Sequence, residues 1–553
     1  MSTRLTQPPT IIAPALYVVA SFLMFGTQLL GHHDWIVGFG ADPQIFVWAV
    51  GWWPHAIAHD LDPVNTQFLY YPDGFDLAHA ATVPAAAILL WPLTAVIGPL
   101  SAYNVAMTLS SALAASFAFL LCRRLTASFW PSAVGGWLFG FSPYVLGEMG
   151  GHLHLTWVFM VPAIVHLALR AHDGELSRGR LVVLLILALT LQFYISAEVF
   201  VSLTLFGAVA IVVAYAVGDQ AERSRLREMS VALGWGYLGT VLLAAPYLYQ
   251  AFQPGQVPVL LSRSEIVSAD LLAYVVPEPF TQLGGSAFGG TTAAFTAGTV
   301  EGSAYLAPPV ILIAALGVWR CRRTLGVKVG LITLAVVVVC SFGGHLHVDG
   351  HSTVPMPWAA FSRLPVLGLL LPARFIDYAF LIVAIFVALW LARARNRLVA
   401  ATLAALAVAF TWPALDSWAW VTPTGLPPLF ATGAYRRYIS PRDVAIVLPI
   451  GNAGPAMLWQ AEAGYEFPIA GGYVLPPEAP NPYKSNPLYD QLSSTPAPQA
   501  GPAVAYFLAH HGVTVALLPL GGADTPAWQA LLQRIGWRAE VHGGVLLMRP
   551  ART

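Results

Sequence analysis

Five clusters of arginine divide this chain, and two apolar runs separate each neighbouring pair. The clusters are Arg123-Arg124; Arg170 with Arg178 and Arg180; Arg223, Arg225 and Arg227; Arg320, Arg322 and Arg323; and Arg393, Arg395 and Arg397. The paired runs cover about 130–147 and 155–170, 181–196 and 198–217, 230–250 and 303–319, and 327–343 and 373–391; a last run covers about 399–414. A helix crosses a bilayer with about 20 apolar residues, and cytoplasmic loops collect Lys and Arg. Placing all five clusters in the cytoplasm turns each pair of runs into an out-and-back hairpin. The alternation closes with the C-terminus outside.

It closes on one condition. An earlier run, Ile11–Leu30, follows a single Arg4 and is too long for a signal h-region; it reads as a retained first helix entering from a cytoplasmic N-terminus. Only one crossing then fits before Arg123. The segment about 101–121 is that crossing, and about 82–98, with Pro84, Pro92 and Gly98-Pro99, is an interfacial or re-entrant piece on the outer face. The expected fold class is a polytopic α-helical membrane protein of about 11 transmembrane helices. Composition agrees: the chain is 57% hydrophobic and 10% charged, against about 25% charged in soluble domains. A formal net charge of zero gives no case for a nucleic-acid partner. Cys122 and Cys321 sit beside the cytoplasmic arginines, where thiols stay reduced, so neither a disulfide framework nor a thiolate metal site is expected.

The expected division is a transmembrane domain over 1–415, with its first outer loop at 31–100, and an extracytoplasmic α/β domain over 416–553. In the latter, strand-length apolar runs (DVAIVLPI, PIAGGYV, VTVALLPLGG, WRAEV, GVLLMRP) alternate with helical patterns. Candidate chemistry gathers on the outer face. Residues 31–80 hold six aspartates, five histidines and four tryptophans, with no Lys or Arg. Asp42, in GADPQ, is biased by Pro43 towards an extended conformation at a helix entrance, where it serves as a base or as the helix cap. Asp60, Asp62, Asp73 and Asp76 read as turn and cap residues.

Glu148, His152 and His154 fall at the outer end of a run, and Glu198 at a sharp turn between two runs. An ionisable group at such depth marks function or an interhelical hydrogen bond. His152 and His154, two apart, do not share a helical face, so no metal site is assigned; a divalent metal is a minor alternative. Arg263, Arg363 and Arg374 are the main outer cations before the C-terminal domain, able to grip a phosphate or to pair with carboxylates. Trp52 and Tyr71, with Trp48, Trp53, Tyr70 and Trp91, either stack on sugar faces or form the interfacial aromatic belt.

The layout then takes a familiar form. An early helix, a long outer loop with an early Asp, the Pro-rich piece TVPAAAILLWPLTAVIGPLSAYNV and a helix ending Leu121-Cys122-Arg123-Arg124 resemble the GT-C superfamily of membrane glycosyltransferases. DLLAYVVP, EGSAYLAPP, RLPVLGLLLPARF and MLWQ…PIAGGYV resemble bacterial members, including YfhO-type proteins. The resemblance implies a polyprenyl-phosphate-linked sugar donor, a glycan or lipid acceptor, transfer of a hexosyl or pentosyl group on the extracytoplasmic side of the bacterial inner membrane, and inversion at the anomeric carbon. It makes Asp42 the base and gives Arg374, Arg363 and Arg263 the donor phosphate, with Glu148, His152, His154, Glu198, Trp52 and Tyr71 lining the cavity. Some members carry an acidic pair in the first loop; here Asp42 is followed by Pro43 instead, so no cofactor is required. A transporter or flippase of lipid-linked intermediates, which favours inverted repeats not evident here, and a non-catalytic envelope-assembly protein are the alternatives.

Overall fold

The computed structural model describes residues 8–253, 267–474 and 487–551. Among the described residues six helices are long and apolar enough to cross a membrane: Pro99–Thr126, Leu153–His172, Arg178–Ile195, Ala197–Val217, Gln220–Ala251 and Pro372–Arg393. Shorter apolar helices cover Ile12–Met24, Pro84–Ile97, Pro308–Cys321, Leu325–Ser341 and Arg397–Phe410. The protein is a predominantly helical membrane protein.

The run at about 130–147 departs from expectation. It forms two helices, Phe129–Gly140 and Pro143–Glu148, rather than one span. Ser142 is the reason: its hydroxyl accepts from Val145 N at 3.3 Å and Pro143 takes the first helical position, a start signal inside an apolar run.

The chain divides into two compact units. The first comprises Met1–Gln28, Met107–Ala244 and Leu260–Trp420. Within it Pro372–Arg393 packs against Phe129–Gly140, Pro308–Cys321 and Leu325–Ser341. Small residues set the closest approach. Gly136 and Gly140 are four apart on one helix, and a Cβ at Gly140 would lie 2.3 Å from the Ala115 backbone nitrogen and 2.4 Å from the Ser111 carbonyl oxygen. That is the small-xxx-small solution by which helices associate in lipid. Gly140→Ala is therefore expected to destabilise by about 1–3 kcal/mol, the usual cost of overpacking. Thermal melting in detergent checks it, and an unchanged midpoint would refute the contact.

The second unit comprises Leu29–Ala106, Ala245–Val259 and Val421–Thr553. The first outer loop, counted above with the transmembrane domain, thus groups with the C-terminal stretch. Its short strands are β1 (Trp35–Val37), β2 (Asn65–Thr66) and β3 (Phe75–Asp76); the first unit supplies β4 (His345–Val348) and β5 (His351–Pro355). The C-terminal stretch contributes β6 (Val421–Pro423), β7 (Ala445–Val447), β8 (Val515–Pro519), β9 (Trp537–His542) and β10 (Val545–Pro550). β7, β8, β10 and β9 form one sheet in that order, parallel only between β7 and β8. Helices Gly501–His510 and Thr525–Arg534 supply Val504, Leu508, Trp528 and Leu532 to its core.

PIAGGYV, expected as a strand, makes only a bridge to β7, yet it links the sheet to the first loop. Ala445 N donates to Pro468 O (3.0 Å), Ile469 N to Phe68 O (3.0 Å) and Tyr71 N to Ile469 O (3.0 Å). The helix Asp42–Ala58 is fastened to the same stretch: Trp48 Nε1 donates to Gln460 Oε1 at 2.8 Å, and Tyr465 OH donates to Trp48 O at 2.6 Å.

One ion pair in this unit centres on Asp443. Asp443 accepts from Arg549 at 2.9 and 3.0 Å, from Thr514 Oγ1 at 2.7 Å and from Ser440 N at 2.8 Å. Burial alone raises the Asp443 carboxyl, but these donors together hold it below its usual range. A depressed carboxyl contributes stability that is present above its unfolded value and lost as pH falls through its folded value. Acid unfolding of the wild type is expected to begin below about pH 4, and Asp443→Asn is expected to flatten that slope. Identical acid profiles for the two proteins would remove the assignment.

Candidate functional site

In the second unit the focus is Asp42. The helix Asp42–Ala58 starts at Asp42 itself, and Ala41 is its cap residue without a side-chain cap bond. The helix therefore begins one residue earlier than expected, with Asp42 helical rather than extended. Asp42 stands in the first helical turn, where unpaired backbone N–H groups favour a carboxylate. Its Oδ1 accepts from Tyr473 OH at 2.8 Å, and the charge lies within electrostatic reach of Tyr103. The carboxylate is half-buried and oriented by a partner 431 residues away.

Two of the loop's other acids hold local turns. Asp62 accepts from Val64 N (2.8 Å) and Asn65 N (3.0 Å), and Asp76 from Ala78 N (2.9 Å). Burial, with His59 alongside, pushes the His55 imidazole down to about 4, so it is neutral at ordinary pH. Trp48, Trp52 and Trp53 are buried, so they form neither a sugar platform nor an interfacial belt. Trp52 stacks on Trp48 at 5.1 Å and donates to Pro63 O at 3.0 Å. Tyr71 packs against the sheet core.

The first unit holds a separate buried polar cluster. Ser196 caps the helix Ala197–Val217, accepting from Val199 N, and so fixes Glu198 in the first turn. Glu198 accepts from Arg374 Nη1 at 2.5 Å and from Leu371 N at 3.2 Å; Arg374 Nη2 donates to Glu301 at 2.9 Å. The Arg374 side chain is 12% exposed and each of the two carboxylate side chains 19%. Beside them Glu148 Oε2 and His152 Nδ1 are 2.6 Å apart, one helical turn along the chain. Arg374 also acts electrostatically on Glu148, Tyr144 and His154. Asp377, on the next turn after Arg374, is buried.

The structure therefore brings together Glu148, His152, His154, Glu198 and Arg374, while Arg363 is exposed at the surface. Arg263 lies outside the described residues. Sequence reasoning missed Glu301, Asp377 and Tyr473. The first two carried a signal, an acid next to an apolar run; Tyr473 carried none, because its importance exists only through the long-range contact. Among the described residues no group of three or more His, Cys, Asp or Glu has metal-holding geometry.

The fold is similar to that of solved GT-C glycosyltransferases. The oligosaccharyltransferase of Archaeoglobus fulgidus in its apo form is similar over 100% of this chain and 75% of that one, with TM-score 0.57 and 13% identity. ArnT from Cupriavidus metallidurans bound to undecaprenyl phosphate is similar over 97% of both chains, with TM-score 0.54 and 11% identity. The arabinofuranosyltransferase AftD from Mycobacteria is similar over 100% of this chain and 42% of that one, with TM-score 0.55 and 13% identity. The chain itself belongs to the family described as Domain of unknown function (DUF6311), whose profile matches residues 14–412. No curated protein sequence matches it.

Proposed function

We propose that the protein is a membrane glycosyltransferase. It moves a hexosyl or pentosyl group from a polyprenyl-phosphate donor to a glycan or lipid acceptor of the cell envelope, on the extracytoplasmic side of the bacterial inner membrane. The observation that carries this reading is the likeness of the whole chain to a solved protein bound to undecaprenyl phosphate. Asp42 takes the proton of the acceptor hydroxyl as its oxygen attacks the anomeric carbon. The bond from that carbon to the donor phosphate breaks, and the polyprenyl phosphate departs with the electron pair. Charge developing on a leaving phosphate is best met by preorganised cations. Arg374, held by two carboxylates, and the exposed Arg363 are the described candidates, with Arg263 beside them in sequence reasoning.

The finer affiliation with YfhO-type proteins, a count of about 11 spans, a cytoplasmic N-terminus and an acceptor-orienting C-terminal α/β domain belong to the same proposal. So does independence from a divalent metal, since Asp42-Pro43 replaces the acidic pair of some GT-C members. The test is transfer by the purified, reconstituted protein from a panel of radiolabelled polyprenyl-phosphate sugars to membrane extract, with and without chelator. Labelled product at equal rates in both arms is expected. Movement of lipid-linked sugar across vesicles without transfer would instead establish a flippase.

A further inference from the structure

The segment leading into the helix Pro372–Arg393 has two unlike faces. Its inner side is fixed: Trp358 and Leu370 are buried, and the Trp358 ring meets Phe375 edge-on at 4.8 Å. Its outer side shows Phe361, Leu364, Val366 and Leu369, each 37–49% exposed, with Arg363 among them. Single exposed apolar residues are ordinary, but four within nine positions form a patch.

The backbone presents this patch by an unusual turn. Leu367 N donates to Pro365 O at 2.8 Å, and Val366 sits at φ 68°, ψ −49°. That is a γ-turn of the strained hand, at a β-branched residue that rarely adopts positive φ. Strain of this kind persists where the surroundings enforce it and marks functional segments. Its effect is to turn Leu364-Pro365-Val366 outward.

A non-helical segment can sit against lipid only if its own backbone is satisfied. Here it is largely so. Ser362 N donates to Trp358 O, Leu364 N to Phe361 O, Gly368 N to Leu364 O, Leu369 N to Val366 O and Leu370 N to Leu367 O, at 2.8–3.2 Å, and Pro365 has no N–H to satisfy. The patch is also continuous in sequence with a membrane-crossing helix, Pro372–Arg393.

We propose that residues 361–369 insert into the interfacial layer of the bilayer, in the leaflet where Pro372–Arg393 begins, with Arg363 at the level of the phospholipid phosphates. The apolar tip enters the acyl boundary, and the guanidinium extends back to the headgroups. The inference does not depend on glycosyl transfer. It makes this segment a membrane anchor that fixes the start of that helix at a set depth.

The test places a nitroxide on Leu364→Cys and, separately, on Val366→Cys, in protein reconstituted into phosphatidylcholine and phosphatidylglycerol vesicles. Ser352→Cys on exposed β5 is the comparison. At 364 and 366, collision with oxygen is expected to exceed collision with a water-soluble nickel complex several-fold, and the order is expected to reverse at 352. Preference for nickel at 364 and 366 would overturn the proposal, as would exclusion of both reagents, which signals cover by protein. The unmodified protein gives an independent reading. A diazirine-bearing phospholipid is expected to label the peptide 364–374 and to spare 351–355, and equal labelling of the two would also overturn the proposal.

Discussion

Asp42→Asn is expected to lower the rate of sugar transfer by about 10²–10⁴-fold, the range for loss of a positioned general base, while leaving the protein folded. Asparagine keeps an oxygen that accepts from Tyr473 OH, so the local geometry survives and only the proton-accepting charge is lost. Tyr473→Phe removes the orienting donor and leaves the charge. A single hydrogen bond is worth about 0.5–1.5 kcal/mol, so a fall of up to about tenfold is expected. Asp62→Asn is the control from the same loop, since Asp62 closes a turn through Val64 N and Asn65 N; its transfer rate is expected to stay near wild type. Transfer by Asp42→Asn at the wild-type rate would sink the assignment of the base, whatever the donor.

The second large effect concerns stability. Arg374 pairs with both Glu198 and Glu301 in a mostly buried setting. Removing one partner of a buried ion pair leaves an uncompensated charge and costs about 3–5 kcal/mol. Arg374→Met is expected to fall in that range, seen as a clear drop in the detergent melting midpoint. The triple variant Arg374→Met, Glu198→Gln, Glu301→Gln should recover much of the loss, because neutral amides no longer need a counter-ion. If the single variant melts with the wild type, the three residues do not act as a unit. If the triple variant melts as low as the single one, the cost lies in packing of the arginine stem instead.

These two predictions separate what Arg374 does from what Asp42 does. An arginine already held by two carboxylates has its fork preorganised, and a phosphate arriving there must share it. The Asp42 carboxylate accepts from Tyr473 OH, and an ionised carboxylate offers about four lone-pair sites.

How much of this was legible beforehand differs by residue. Glu198 was legible, because an acid between two apolar runs must find a partner in a membrane protein. Arg374 was legible as a rare cation, but its partners were not, since Glu301 lies 73 residues away and belongs to a different helix. The helix entrance at Asp42-Pro43 was legible, but the burial of Trp48 and Trp52 was not. Helix Asp42–Ala58 is buried on most of its surface, so its apolar residues show no one-sided period to betray it. The break at Phe141-Ser142 was written in the sequence as Ser-Pro, but hydropathy alone runs through it.

The sequence by itself determined the membrane class and the positions of the long apolar helices, because lipid demands continuous apolar runs and an internally satisfied backbone. It determined the local work of Asp62 and Asp76 as well, since turn acids bond to amides two or three positions on. Only the tertiary structure decided that the first loop groups with residues 421–553, that Tyr473 orients Asp42, and that Glu198 and Glu301 share Arg374. Each of these is a contact between segments remote in the chain. Local propensity is blind to such contacts, and their energy comes from burial and charge compensation that exist once the chain has folded.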